Sequence, residues 1–110
     1  MNRLSIDKIR KATLKDIDRL KKVKPSLTDK QAKERLTKQS EKLLEYLVLE
    51  INGEIVSFVL LKWHGKKSHP EYPDMEDLYT REDQRGKGFA TKLIGECEKQ
   101  AKEKGFNKIG

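Results

Sequence analysis

The stretch Arg85-Gly86-Lys87-Gly88-Phe89-Ala90 carries the sharpest chemical signal in this 110-residue sequence. Two glycines, with Arg85 before them and Lys87 between them, open an amphipathic segment. Amides at the start of a helix lack intrahelical partners and carry partial positive charge. Glycine lets the backbone come close to a phosphate group, and Arg85 and Lys87 add full charges beside it. The spacing predicts a phosphate-binding turn between a strand ending near Thr80 and a helix opening at Gly88. Two other phosphate loops do not fit. The Walker A pattern Gly-x4-Gly-Lys-Ser/Thr is absent, and the dinucleotide pattern Gly-x-Gly-x-x-Gly fails at Thr91.

Other reactive side chains are scattered. Glu76 and Asp77 lie just upstream, in what reads as a strand, and strand alternation predicts that they point to opposite faces. Tyr79 suits the core better than a cleft. His64 and His69 stand five residues apart with no Cys/His cluster around them, so no metal site is expected. Cys97 sits on an apolar helical stripe and reads as core rather than as a nucleophile. As the single cysteine it forms no internal disulfide, which suits a reducing cytoplasm. Trp63 reads as the end of a strand, with the lining of an acceptor site as the alternative.

The elements that position these residues are legible from periodicity. Ile6 to Lys11 reads as a short strand. Thr13 and Asp16 have the spacing of a capping box, followed by Leu14, Ile17 and Leu20 on one helical face, and Pro25 closes that segment. Thr28 and Gln31 repeat the box and open a second helix with Ala32, Leu36 and Leu43 on its inner side and little other apolar surface. Tyr46–Ile51 and Ile55–Trp63 flank Asn52-Gly53, whose two residues tolerate the positive φ of a type I′ hairpin turn. Residues 64–73 read as a loop, Asp74–Thr80 as a third long strand, and 81–86 as a polar turn. Ala90, Leu93, Ile94, Cys97 and Ala101 then form one helical stripe from Gly88 to about Lys104, with Gly105 as its C-terminal glycine. Phe106–Gly110 reads as the start of another strand, parallel to its neighbour. The order is β-α-α-β-β-β-α-β, an α+β fold with a mixed sheet in a single domain, residues 1–110.

Charged residues (39%) outnumber hydrophobic ones (35%), so the apolar positions must be well patterned to build a core. The net charge of +7 is lopsided: residues 1–45 hold 14 Lys/Arg against 7 Asp/Glu, while residues 46–110 hold 11 of each. A basic half suits a solvated lysine-rich surface, an acidic partner, or nucleic acid. Sparse aromatics and the lack of any RNA- or DNA-reading motif weigh against the last. No segment reads as a signal peptide or a membrane span, and a cytoplasmic protein is expected.

The segment resembles the cofactor turn of the GNAT N-acetyltransferase superfamily, whose pattern Arg/Gln-x-x-Gly-x-Gly/Ala lies between its fourth strand and third helix. Arg85, Gly88 and Ala90 match that pattern, Leu78 precedes the turn and Leu93-Ile94 follow in the helix. The element order agrees over nearly the whole chain. Glu82 stands where the family often has proline. The family continues beyond the strand at Phe106 with a helix and two more strands, so the chain is expected to hold a fold truncated after the start of its fifth strand.

The resemblance implies acetyl-CoA as co-substrate and an N-acetyltransferase that passes the acetyl group to an amine acceptor. It implies backbone pairing of Leu78, Tyr79 and Thr80 with the pantetheine arm, and pyrophosphate held by amides of Arg85, Gly86, Lys87, Gly88, Phe89 and Ala90. The attacking amine must lose a proton, so a base reached through water is useful, and Glu76 is preferred for it over Asp77. Strand amides facing the thioester oxygen stabilise the developing charge. The basic first half borders the acceptor side and favours an acidic acceptor. Two alternatives accompany this reading: a non-catalytic coenzyme A-binding or interaction module, and a basic nucleic-acid-binding protein. An unpaired sheet edge near Phe106–Gly110 invites a homodimer.

Overall fold

The computed structural model describes residues 7–64 and 72–110. Four strands form one antiparallel sheet in chain order: β1 (Asp7–Lys11), β2 (Leu44–Ile51), β3 (Glu54–Lys62) and β4 (Asp74–Thr80). Between β1 and β2 come a 3-10 turn (Leu14–Asp16), α1 (Ile17–Val23) and α2 (Asp29–Ser40); after β4 come a second 3-10 turn (Glu82–Gln84) and α3 (Phe89–Glu103). The predicted order holds through α3, and the strand expected after it is not assigned. His69 lies outside the described residues.

Alternation along the central strands gives the sheet two apolar faces. Tyr46 and Val48 of β2, with Phe58 and Leu60 of β3, pack with Leu20 and Val23 of α1 and Ala32 and Leu36 of α2. Leu47, Leu49, Val59 and Leu61 face the other way and pack with Leu93 and Cys97 of α3. The sheet is therefore a sandwich filling, with α1 and α2 on one side and α3 on the other.

Local chemistry fixes the ends of these elements. Asn52 and Gly53 have φ of 51° and 85°, so both central residues of the β2–β3 hairpin are left-handed, as a type I′ turn requires. The Asp16 carboxylate accepts the Thr13 amide at 2.8 Å and the Thr28 hydroxyl accepts the Gln31 amide at 3.1 Å, so both capping boxes form. α3 ends in a Schellman motif: Phe106 N–H donates to the Ala101 carbonyl at 3.0 Å and Gly105 N–H to that of Lys102 at 2.9 Å.

Two core assignments need correction. Leu14 is 68% exposed. It lies in a 3-10 turn of three residues per turn, out of phase with the α-helical stripe of Ile17, Leu20 and Val23. Leu43 is 44% exposed because α2 stops at Ser40 and Lys42 turns left-handed at φ 63°. The light apolar docking of α2 is supplemented instead by Gln39, whose amide donates to the Ala12 carbonyl at 2.9 Å and accepts from the Tyr46 amide at 2.7 Å.

The expected strand after α3 is not assigned, yet its backbone begins the pairing. Gly110 N–H donates to the Pro73 carbonyl at 2.8 Å, and Met75 N–H donates to the Gly110 carbonyl at 3.0 Å. One residue bonded to both flanks of Asp74 is the bonding pattern of a parallel neighbour.

Candidate functional site

The glycine turn has a backbone shape suited to an anion. Gly86 and Gly88 have φ of 80° and 83°, a conformation that side-chain-bearing residues rarely adopt. A Cβ at either position meets no protein atom within 4 Å, so backbone shape rather than crowding demands glycine there. Gly88 caps α3 and contributes no side-chain cap, and the first turn of α3 holds no acidic residue. The leading amides of α3 therefore receive no side-chain cap from Gly88 and carry their share of the helix dipole.

These residues share one cleft of about 470 Å³. Leu78, Tyr79 and Thr80 form one wall, and Arg85, Gly86, Gly88, Phe89 and Ala90 form the turn side. Eight of the nine predicted cofactor-side residues therefore come together. Lys87 does not line the cleft; its ammonium lies 3.1 Å from the Gln84 side-chain oxygen. Gln84 and Thr91 join the lining and were not anticipated. Their places, one residue before the motif and one after it, were the available signal. Arg85 Nε donates to the Thr80 carbonyl at 3.0 Å, and its guanidinium lies 5.1 Å from the Tyr79 ring centre. Tyr79 belongs to the core and the cleft at once, since its ring also stacks on Phe58 at 6.3 Å.

A second cleft, of about 430 Å³, opens on the α1/α2 face and includes both Glu76 and Asp77. The expectation that these neighbours point to opposite faces is overturned by a β-bulge. Glu76 pairs with Leu60 and Tyr79 with Phe58, leaving Asp77 and Leu78 opposite Val59 alone. Asp77 takes φ 50°, which breaks the alternation of the strand.

The two carboxylates differ in their partners. Glu76 forms an ion pair with Lys62. Asp77 is held twice, by Lys24 Nζ at 2.7 Å and by Arg35 Nη2 at 2.7 Å. Burial pushes the Asp77 carboxyl up, but the hydrogen bonds and charges of Lys24 and Arg35 outweigh it and hold the group below the usual carboxylate range. An anion so stabilised is a poor proton acceptor. Arg35 also donates to the Tyr46 hydroxyl at 3.0 Å. Lys24, Arg35 and Lys62 were not singled out from sequence, because their partners lie far along the chain.

The remaining candidates stay outside both clefts. Cys97 is fully buried and its thiol is pushed up to about 12 by burial and by neighbouring glutamates. Trp63 follows β3, packs on the α3 side of the sheet and lies under Lys104 Nζ at 4.2 Å. His64 is exposed. Among the described residues no group of three or more His, Cys, Asp or Glu gathers to hold a metal ion, and no helix is long and apolar enough to cross a membrane.

The family model described as acetyltransferase (GNAT) family matches residues 12–110. No curated protein sequence matches the chain. An N-acetyltransferase from Staphylococcus aureus Mu50 superposes with a TM-score of 0.76 at 24% identity, covering 96% of this chain and 72% of that one. The PaiA N-acetyltransferase of Thermoplasma acidophilum, solved in complex with coenzyme A, gives a TM-score of 0.71 at 16% identity, over 91% of this chain and 74% of its own. A ribosomal-protein-alanine N-acetyltransferase from Brucella melitensis biovar Abortus 2308 gives 0.71 at 21% identity, over 94% and 77%. At these identities the structural likeness is one of fold.

Proposed function

The chain belongs to the acetyltransferase (GNAT) family, and on that premise we propose that it transfers the acetyl group of acetyl-CoA to an amine acceptor. The observation that carries this reading is the cleft between Leu78–Thr80 and the uncapped, twice left-handed glycine turn at the head of α3. Its shape and charge suit a pyrophosphate beside an extended arm.

In this reading, amides from Arg85 to Ala90 hold the pyrophosphate, and the backbone of Leu78, Tyr79 and Thr80 runs beside the pantetheine arm. Acetyl-CoA would supply the thioester carbonyl that the amine attacks; the C–N bond forms as the C–S bond breaks, and coenzyme A departs as the thiolate, which takes its proton from solvent. Glu76 takes the amine proton through water, while amides of the bulged strand stabilise the developing oxyanion. Asp77 stays ionised beside Lys24 and Arg35 and takes no proton.

The acceptor enters from the α1/α2 face, where Lys38 and Lys62 border the cleft that contains Glu76. Three carboxylates and three cations line that cleft, with Lys62 held by Glu76 and Arg35 by Asp77, so it is Lys38 and the lysine-rich first half of the chain that favour an amine that also carries an acidic group. Transfer of labelled acetyl from acetyl-CoA to a panel of acidic, neutral and basic amines tests both parts. The expected result is turnover with preference for acidic acceptors. Absence of both turnover and coenzyme A binding contradicts the assignment.

A second reading is a coenzyme A-binding module without turnover. It is favoured by one feature: both cleft carboxylates are engaged, Glu76 by Lys62 and Asp77 by Lys24 and Arg35. Tight coenzyme A binding with no transfer to any amine decides for it.

A further inference from the structure

Two residues of β4 face one residue of β3, and the residue that absorbs the excess is an aspartate in the left-handed region. Strand parity then depends on it. Glu76 and Tyr79 are three positions apart, so a regular strand puts them on opposite faces. Here their partners Leu60 and Phe58 both belong to the α1/α2 core. Met75 and Leu78, also three apart, both pack on the α3 side. Removing the bulge shifts the strand by one residue and flips Leu78, Tyr79 and Thr80 relative to Glu76.

The Asp77 side chain is clasped from outside the sheet. Lys24, the C-cap of α1, and Arg35, in the middle of α2, each reach it at 2.7 Å. Arg35 is itself fixed by the Tyr46 hydroxyl at 3.0 Å and lies over the Tyr46 and Phe58 rings. Asp77 is thus the point where the helix layer that borders one cleft grips the strand that borders the other.

We infer that Asp77 is a positioning residue: clasped by Lys24 and Arg35, it holds the β4 bulge and so sets which face Leu78, Tyr79 and Thr80 present to the coenzyme A cleft. The inference rests on the acetyl-CoA reading only for its ligand.

Two variants separate backbone from charge. Asp77→Gly accepts the positive φ but removes the clasp, and Asp77→Asn keeps size and tolerance of positive φ but loses the charge. Amide hydrogen exchange and coenzyme A calorimetry are measured on both, beside the unaltered protein. The expected result is exchange at Leu78 and Tyr79 about tenfold faster, with β1–β2 pairing unchanged, and coenzyme A affinity weakened by about tenfold. In any turnover assay the pH profile keeps its shape, because Asp77 does not titrate in the working range. Exchange that rises equally across all four strands assigns Asp77 to general stability and overturns the inference, as do two variants indistinguishable from the unaltered protein. If the unaltered protein binds no coenzyme A, the functional reading fails, and exchange at β4 still decides the role of Asp77.

Discussion

Glu76 and Asp77 are neighbours in β4, yet they border the same cleft, because Asp77 adopts φ 50° and β4 carries one residue more than β3 opposite Val59. The pair then divides by its partners. Two cations fix Asp77 as an anion, while Glu76 has Lys62 beside it.

That division yields a kinetic prediction. Glu76→Gln is expected to lower kcat by about a hundredfold, the lower range for loss of a general base, while KM for acetyl-CoA changes little. Steady-state kinetics across pH 5–9 check it, and an unchanged kcat removes Glu76 from the mechanism.

Gly88 and Gly95 are expected to respond oppositely to alanine. Gly95 lies inside α3 with open space around a Cβ and no positive φ, so Gly95→Ala stabilises by about 0.5–1 kcal/mol. Gly88 has the same open space but φ 83°, so Gly88→Ala destabilises by about 1 kcal/mol. Thermal or urea denaturation of the two variants measures both. A loss of coenzyme A affinity beyond the strain in Gly88→Ala reports a ligand at that turn.

Acid sensitivity is expected to centre on Asp16. Its side chain is 2% exposed and receives two hydrogen bonds from Arg10, at 2.8 and 2.9 Å. Burial raises the Asp16 carboxyl, but Arg10 and the Thr13 amide overcome this and lower it. The folded protein therefore binds this proton more weakly than the unfolded chain. The stabilisation is present above the ordinary carboxylate pKa of about 3.9 and is lost as pH falls through the lower folded value. Asp16→Ala, which leaves Arg10 short of its main partner, is expected to cost about 3 kcal/mol at neutral pH. Urea unfolding at several pH values tests it: the gap between the two proteins narrows on acidification.

Cys97 is expected to be inert. With no exposure and a thiol pushed up to about 12, it holds almost no thiolate at pH 8. Iodoacetamide labelling of the native protein at that pH is expected to be negligible and to become complete in denaturant. Rapid native labelling contradicts the packing of α3 against the sheet.

The sequence revealed features whose cause is local and hid those whose cause is distant. Asn52-Gly53, the boxes at Thr13 and Thr28, the stripe from Ala90 to Ala101 and the glycine turn each follow from residues a few positions apart, and each forms. Leu14 and Leu43 misled because a 3-10 turn and an early helix stop change the phase of an apolar pattern without changing its residues. The β4 bulge had no local marker, since aspartate is not the residue expected at positive φ inside a strand. Its cause lies with Lys24 and Arg35, tens of residues upstream, and only the folded chain brings them to Asp77.

The most direct test of the acetyl-CoA assignment is a titration of the 15N-labelled protein with coenzyme A, followed by amide NMR shifts. The account predicts saturable shifts concentrated at Leu78, Tyr79 and Thr80 and at Gly86 through Thr91, with the Lys24–Arg35 helix layer moving little. Shifts absent from the glycine turn, or centred on the basic face of α2 instead, contradict it.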